Sequence, residues 1–211
     1  MLQKRFAGLA ATVIACLFWA GTASAQGITG SAHDFSGENW SGGAICIVCH
    51  TPHDSDPTVA AEAPLWHHAL TQETFTLYSS TSLQGTVSAT LNTRSVLCLS
   101  CHDGVTALDS FGGTTGNTVM TGDAVLDTDL SNDHPVSITY TATTAANDGA
   151  LSDPTTTTVP ISGTTIQQYM LSGGDSVECS SCHDVHNGTG FGALLKVDNT
   201  GSQLCLTCHR K

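Results

Sequence analysis

Positive charge is scarce in this chain: 6 Lys and Arg stand against 18 Asp and Glu among 211 residues, a formal net charge of −12. Lys4 and Arg5 account for part of even that, so the sequence beyond them is still more acidic. A surface of that sign repels nucleic acid and anionic lipid and excludes both as partners. Aromatic residues make up only 6% of the chain, while Gly, Ser and Thr abound, a poor recipe for an ordinary hydrophobic core. Something other than Phe, Tyr and Trp has to fill the interior. The Asp123, Asp127, Asp129, Asp133 cluster lacks the spacing of an EF-hand and reads as a solvated acidic loop. Beyond the N-terminus no segment is apolar enough to cross a membrane.

The N-terminus itself reads as an export signal. Lys4 and Arg5 form a basic start, Phe6 to Thr22 is apolar, and Ala23-Ser24-Ala25 has the small-residue pattern of a cleavage site. Residues 1–25 are therefore expected to be removed, with the protein passing through the periplasm to the cell surface or beyond. A lipid anchor on Cys16 is the competing reading, because Val13-Ile14-Ala15-Cys16 resembles a lipobox. The apolar run continues through Leu17-Phe18-Trp19-Ala20, which argues against it.

Cysteine is also limited. Without Cys16, every remaining Cys belongs to a Cys-x-x-Cys pair: Cys46 and Cys49, Cys98 and Cys101, Cys179 and Cys182, Cys205 and Cys208. No thiol is left over for a structural disulfide. Each pair is followed directly by a His, namely His50, His102, His183 and His209. Paired cysteines alone would suit structural zinc. With 10 His in 211 positions, a His after all the pairs by chance is on the order of one in 10⁵. No βαβ pattern surrounds a single pair, as a thioredoxin-like dithiol would need. Cys-x-x-Cys-His is the attachment signature of c-type haem: the thiols add across the haem vinyl groups, and the His becomes an axial ligand of the iron. Four covalent haem c groups per chain are expected, and their porphyrins supply the apolar surface that the side chains lack.

The sites are ordered as a duplication. The first half reads His33, then Cys46 to His53, Ala63-Pro64-Leu65, and Ser95 to His102. The second reads His134, then Cys179 to His186, Ala193-Leu194-Leu195, and Ser202 to His209. This shared register divides the chain into a two-haem module at 26–110 and a second at 111–211 with a Thr/Gly/Asp-rich insert. The fold class is a multihaem cytochrome c: mostly irregular loops with short helices and little strand, packed around a stacked haem chain. Short helical turns should carry the motifs, with Ser202 as the N-cap of the last. Within the insert, Val136–Thr141 and Thr157–Ile161 suggest a small hairpin, with Asn147-Asp148-Gly149 as turn chemistry between them.

The second axial position decides the chemistry, since an open iron permits catalysis and a closed one leaves electron transfer. Six His lie outside the motifs: His33, His53, His67, His68, His134 and His186. Two His on opposite faces of one haem need Cα atoms about 12–13 Å apart, whereas three residues span at most ~11 Å. His53 therefore serves a haem other than that of His50, and His186 one other than that of His183. Duplication matches His33 with His134 and His53 with His186, which fills the positions. His67 and His68 have no counterpart.

The strings His33-Asp34-Phe35-Ser36, Cys49 to His53, Ala63-Pro64-Leu65-Trp66, Ser100 to Gly104 and Cys182 to Asn187 resemble the outer-surface tetrahaem c-type cytochromes of metal-reducing bacteria, the OmcE-like cytochrome-nanowire family. The similarity spans essentially the whole chain after the export signal. That family usually reads P-L-W-N-H where this chain has Pro64 to His68, so the resemblance adds His68 as an iron ligand. It further implies bis-His haems in a continuous stack and polymerisation into extracellular filaments. One axial His is then donated across the subunit boundary, for which His33 is the candidate.

The expected function is thus extracellular electron transfer by a homopolymer, exchanging electrons with other redox proteins and extracellular acceptors, and not an enzyme. The alternatives are a monomeric periplasmic tetrahaem shuttle and a haem-based reductase with an open iron, which the surplus of His argues against.

Overall fold

A computed structural model describes residues 27–210. The expected export signal, residues 1–25, and Cys16 lie outside the described residues. Loops and turns dominate. The regular elements are α1 (Thr93–His102), β1 (Ile138–Thr139), α2 (Ala142–Asp148), α3 (Ile166–Tyr169), β2 (Ser176–Val177), α4 (Cys179–Cys182) and α5 (Gln203–Cys208), with a few single 3-10 turns between them. No helix among the described residues is long and apolar enough to cross a membrane.

Helix α1 is the longest element. It buries Ser95, Leu99 and Ser100 on one face, the spacing that places side chains together on a helix. Its interior is unusually polar, and each buried hydroxyl is bonded. Ser100 Oγ donates to the Val96 carbonyl and accepts from Thr71 N–H. The helix stops at Asp103, and Gly104 turns the chain away at φ 71°.

The insert differs from the expected hairpin. Ile138–Thr139 pairs antiparallel with Ser176–Val177, not with Thr157–Ile161. Residues 142–148 wind into α2, whose Thr141 cap accepts from Thr144 N–H. Asn147-Asp148-Gly149 closes that helix, Gly149 taking the left-handed conformation that a side chain resists. Thr157–Ile161 folds back on its own continuation through the Thr158–Thr165 bridge. The reason is α3: Thr165 and Gln168 form a capping box that starts a helix directly after this turn. The insert thereby builds a core of its own, with Tyr140, Ala145, Val159, Ile166, Met170 and Val197 packed together and Cys208 at its edge. A smaller cluster of Val59, Ala63 and Trp66 packs against Cys49 and Leu97 in the first half. Both clusters end on attachment cysteines, so the protein core and the motifs share walls.

Candidate haem-attachment sites

Each motif is a single tight turn. His50 N–H bonds to the Cys46 carbonyl at 2.8 Å, His183 to Cys179 at 3.1 Å and His209 to Cys205 at 2.9 Å. The second motif occupies the last turn of α1. In such a turn positions i, i+3 and i+4 share a face, so both thiols and the imidazole project the same way. The second, third and fourth motifs lie in α1, α4 and α5; the first motif makes the turn without a helix. Ser202 does precede α5, but at φ 63° and with no side-chain cap bond.

The imidazoles are aimed by a second set of contacts. His50 Nδ1 lies 2.8 Å from the Pro64 carbonyl, His102 Nδ1 2.7 Å from Ala124, and His183 Nδ1 2.9 Å from Ala193. A carbonyl can only accept, so Nδ1–H donates in all of them and Nε2 keeps its lone pair for a metal. The surrounding backbone repeats as well. Thr51 N–H bonds to Leu65 and His67 N–H to Cys49; Asp184 N–H bonds to Leu194 and Lys196 N–H to Cys182. Asp54 and Asn187 follow at φ 59° and 53°, a conformation Asx residues tolerate. The Ala-Pro-Leu and Ala-Leu-Leu strings, visible in the sequence without a role, are the carbonyl anchors of these imidazoles.

Beyond the motifs, the structure pairs rings across the chain. His33 faces His102 with centroids 6.2 Å apart, His186 faces His50 at 6.2 Å, and His134 faces His209 at 6.3 Å. Each pair takes one His from a motif and one from outside, and none is used twice. Burial and the neighbouring His102 hold His33 below its usual value, which keeps it a neutral imidazole. Within the single chain, His33, the expected donor across a subunit boundary, stands beside His102.

The remaining His differ. Among the described residues, no second imidazole stands at that spacing from His183. His53 is exposed and lines a cavity of about 680 Å³ together with His67, His68 and Phe111. The ring of His67 lies over Gly112. His68 is buried, with Nδ1 2.8 Å from the Ala69 carbonyl and Nε2 3.2 Å from that of Leu108, edge-on to Trp66 and facing no motif His.

The thiols follow one another in sequence, Cys46 and Cys205 exposed and the others partly buried. Cys49 and Cys101 are close enough for their charges to interact, as are Cys98 and Cys179, and Cys182 feels Cys205 and Cys208. Burial pushes Cys49 up to about 11 and Cys101 and Cys208 up to about 12. The Cys98–Cys179 contact raises Cys98 and lowers Cys179 to about 7.

These residues fit a haem. Two metal–imidazole bonds of about 2 Å plus half a ring on either side place centroids about 6 Å apart, which the facing pairs match. Neutral imidazoles with Nε2 free are the donor set that iron takes. Beside His50, the Trp66 indole Nε1–H is buried without an acceptor among the described residues, a donor that a polar haem substituent would satisfy. Residues 172–211 match the family described as the doubled CXXCH motif. This supports a multihaem c-type cytochrome. The motifs indicate covalently attached haem c, and the matched residues hold two of them, Cys179 to His183 and Cys205 to His209. No curated protein matches the chain.

Sequence reasoning passed over Glu178. It is 1% exposed, immediately before Cys179, and its carboxylate gathers donors from distant segments. No local pattern marks it.

Proposed function

We propose that this protein is an extracellular electron-transfer cytochrome that holds four bis-His haem c groups in one chain of contacts and polymerises into a conductive filament. Haem c supplies a reversible one-electron iron couple whose potential the protein sets. The chain's part is to hold each iron closed and the groups close together. His50, His102, His183 and His209 are the ligands from the motifs, and His186, His33 and His134 close the irons of His50, His102 and His209. The succession of neighbouring thiols from Cys49 to Cys208 supports attachment sites arranged in order, with His183 and His186 joining the third site to the first.

The observation that carries the filament is the imbalance around His183. Among the described residues no imidazole faces His183, while His53 has an exposed ring beside an open cavity. The short reach from His50 keeps His53 from the iron of its own motif. His53 is therefore the ligand donated to His183 of the next copy, so that one iron–nitrogen bond couples assembly to conduction. His68 serves as packing beside Cys101 and Trp66.

Negative-stain microscopy of sheared surface material from cells carrying the protein tests this. Filaments that vanish in His53→Ala while each chain keeps its haems are expected. Normal filaments from that variant would sink the assignment. The same imbalance also favours a second reading, a haem at His183 with an open position, as in a reductase. Carbon monoxide separates them: a spectral shift in reduced, fully assembled protein supports the open iron, and no shift supports the closed filament.

A further inference from the structure

Glu178 sits where the second and third attachment helices meet. Its Oε1 accepts from Asn92 Nδ2 at 2.6 Å and Ser176 Oγ at 2.5 Å. Its Oε2 accepts from Ser95 Oγ at 2.5 Å and Ser137 Oγ at 3.0 Å. Asn92 and Ser95 belong to the start of α1, Ser137 precedes β1, and Ser176 lies in β2, so the carboxylate ties together segments far apart in the chain. Ser137 is held at φ 55°, a conformation costly for a serine, and its hydroxyl also accepts from Asn92 N–H at 2.8 Å. Every donor is neutral. Among the described residues the ion pair is Arg94 with Glu62, and no cation is paired with Glu178.

A buried charge without a counter-charge is costly, and hydrophobic packing would hold the helices together without it. The surroundings show where its field is felt. Ser95, which donates to Glu178, also receives Cys179 N–H at 3.4 Å and lies 3.5 Å from Cys179 Sγ. The Glu178 carboxylate lies close enough to both the Cys98 and the Cys179 thiols for its charge to be felt at each. These thiols attach the second and third haems.

We infer that Glu178 is a potential-setting residue: a fixed buried negative charge that lowers the reduction potentials of the haems held at Cys98–His102 and Cys179–His183 relative to the other two. Oxidised iron carries one more positive charge than reduced iron, so a nearby carboxylate favours the oxidised form, and poor screening in the interior keeps that effect strong. The four hydroxyl and amide donors hold the charge in place without cancelling it. The inference rests on the four-haem reading above.

Spectroelectrochemical titration of the whole haem-loaded protein tests it. Glu178→Gln, which keeps the shape and removes the charge, is expected to raise the potentials of two of the four haems and leave the others in place. Ser176→Ala keeps the charge and removes a neutral donor, and is expected to lower the same two. The inference is overturned if Glu178→Gln moves none, moves all four alike, or moves them in the same direction as Ser176→Ala. Should Glu178→Gln fail to mature, Ser176→Ala decides alone: a fall in two potentials supports the role, and unchanged potentials end it. Haem count and filament microscopy on the unaltered protein report separately on the four-haem filament reading.

Discussion

The imidazoles of His50 and His186 lie with centroids 6.2 Å apart and planes within 22°, although one belongs to the first attachment motif and the other follows the third. His183 and His186 are three residues apart, so in the proposed ligation a single short loop serves two sites. His186→Ala should therefore damage the first site and spare the third. In fully assembled protein, where the His183 site is closed, about a quarter of the haem is expected to turn high-spin and bind carbon monoxide, with the thioether bonds intact by mass spectrometry. If the carbon-monoxide-binding haem maps instead to the Cys179–Cys182 peptide, the pairing of His50 with His186 is wrong.

What could be read from the chain follows from how local each feature is. Cys-x-x-Cys-His needs only one turn to gather two thiols and an imidazole, so its geometry is written in the spacing. The reach limit on three residues is equally local, and it separates His186 from His183 before any fold is known. The insert was harder to read. Val136–Thr141 has a strand's alternation, but its partner Ser176–Val177 is too short to carry a pattern, and the Thr165–Gln168 capping box outcompetes the strand-like stretch before it. Glu178 was invisible because its donors come from Asn92, Ser95, Ser137 and Ser176, each unremarkable alone.

Acid should release His33. Unfolded, it titrates near 6.5; folded, burial and the neighbouring His102 hold it lower. The unfolded chain therefore takes up the proton first as pH falls. The stability contributed by neutral His33 is complete above pH 6.5 and is lost as pH falls through the lower folded value. In the haem-free chain an acid-side loss of stability is expected, followed by denaturant unfolding across pH, and His33→Ala should remove that pH dependence.

Ile166 is fully buried in the core of the insert, among Tyr140, Val159 and Met170, and this core adjoins Cys208. Ile166→Ala should cost about 2–5 kcal/mol in denaturant unfolding of the haem-loaded protein. The exposed Ile161, 48% accessible, is a control from the same segment, and Ile161→Ala should stay within about 0.5 kcal/mol. Equal losses at both positions would mean that the insert has no independent core.

The proposed assembly has to bring together strongly acidic subunits. The sequence carries −12, and the proposed removal of an export signal with Lys4 and Arg5 would make each copy two units more negative, before any haem propionate is added. Like charges repel across a Debye length of about 30 Å at 0.01 M salt but only about 8 Å at 0.15 M. The proposed His53 to His183 bond is short-ranged and cannot act until the copies touch. Raising salt from 0.01 to 0.15 M should therefore speed filament growth and lengthen filaments, as followed by light scattering and microscopy. Dilution into low salt should shorten them from the ends, where a subunit leaves by breaking a single intersubunit bond. Growth that is faster at low salt would mean that the joining surfaces are oppositely charged, and that the few basic residues, Arg94, Lys196, Arg210 and Lys211, are gathered at the interface.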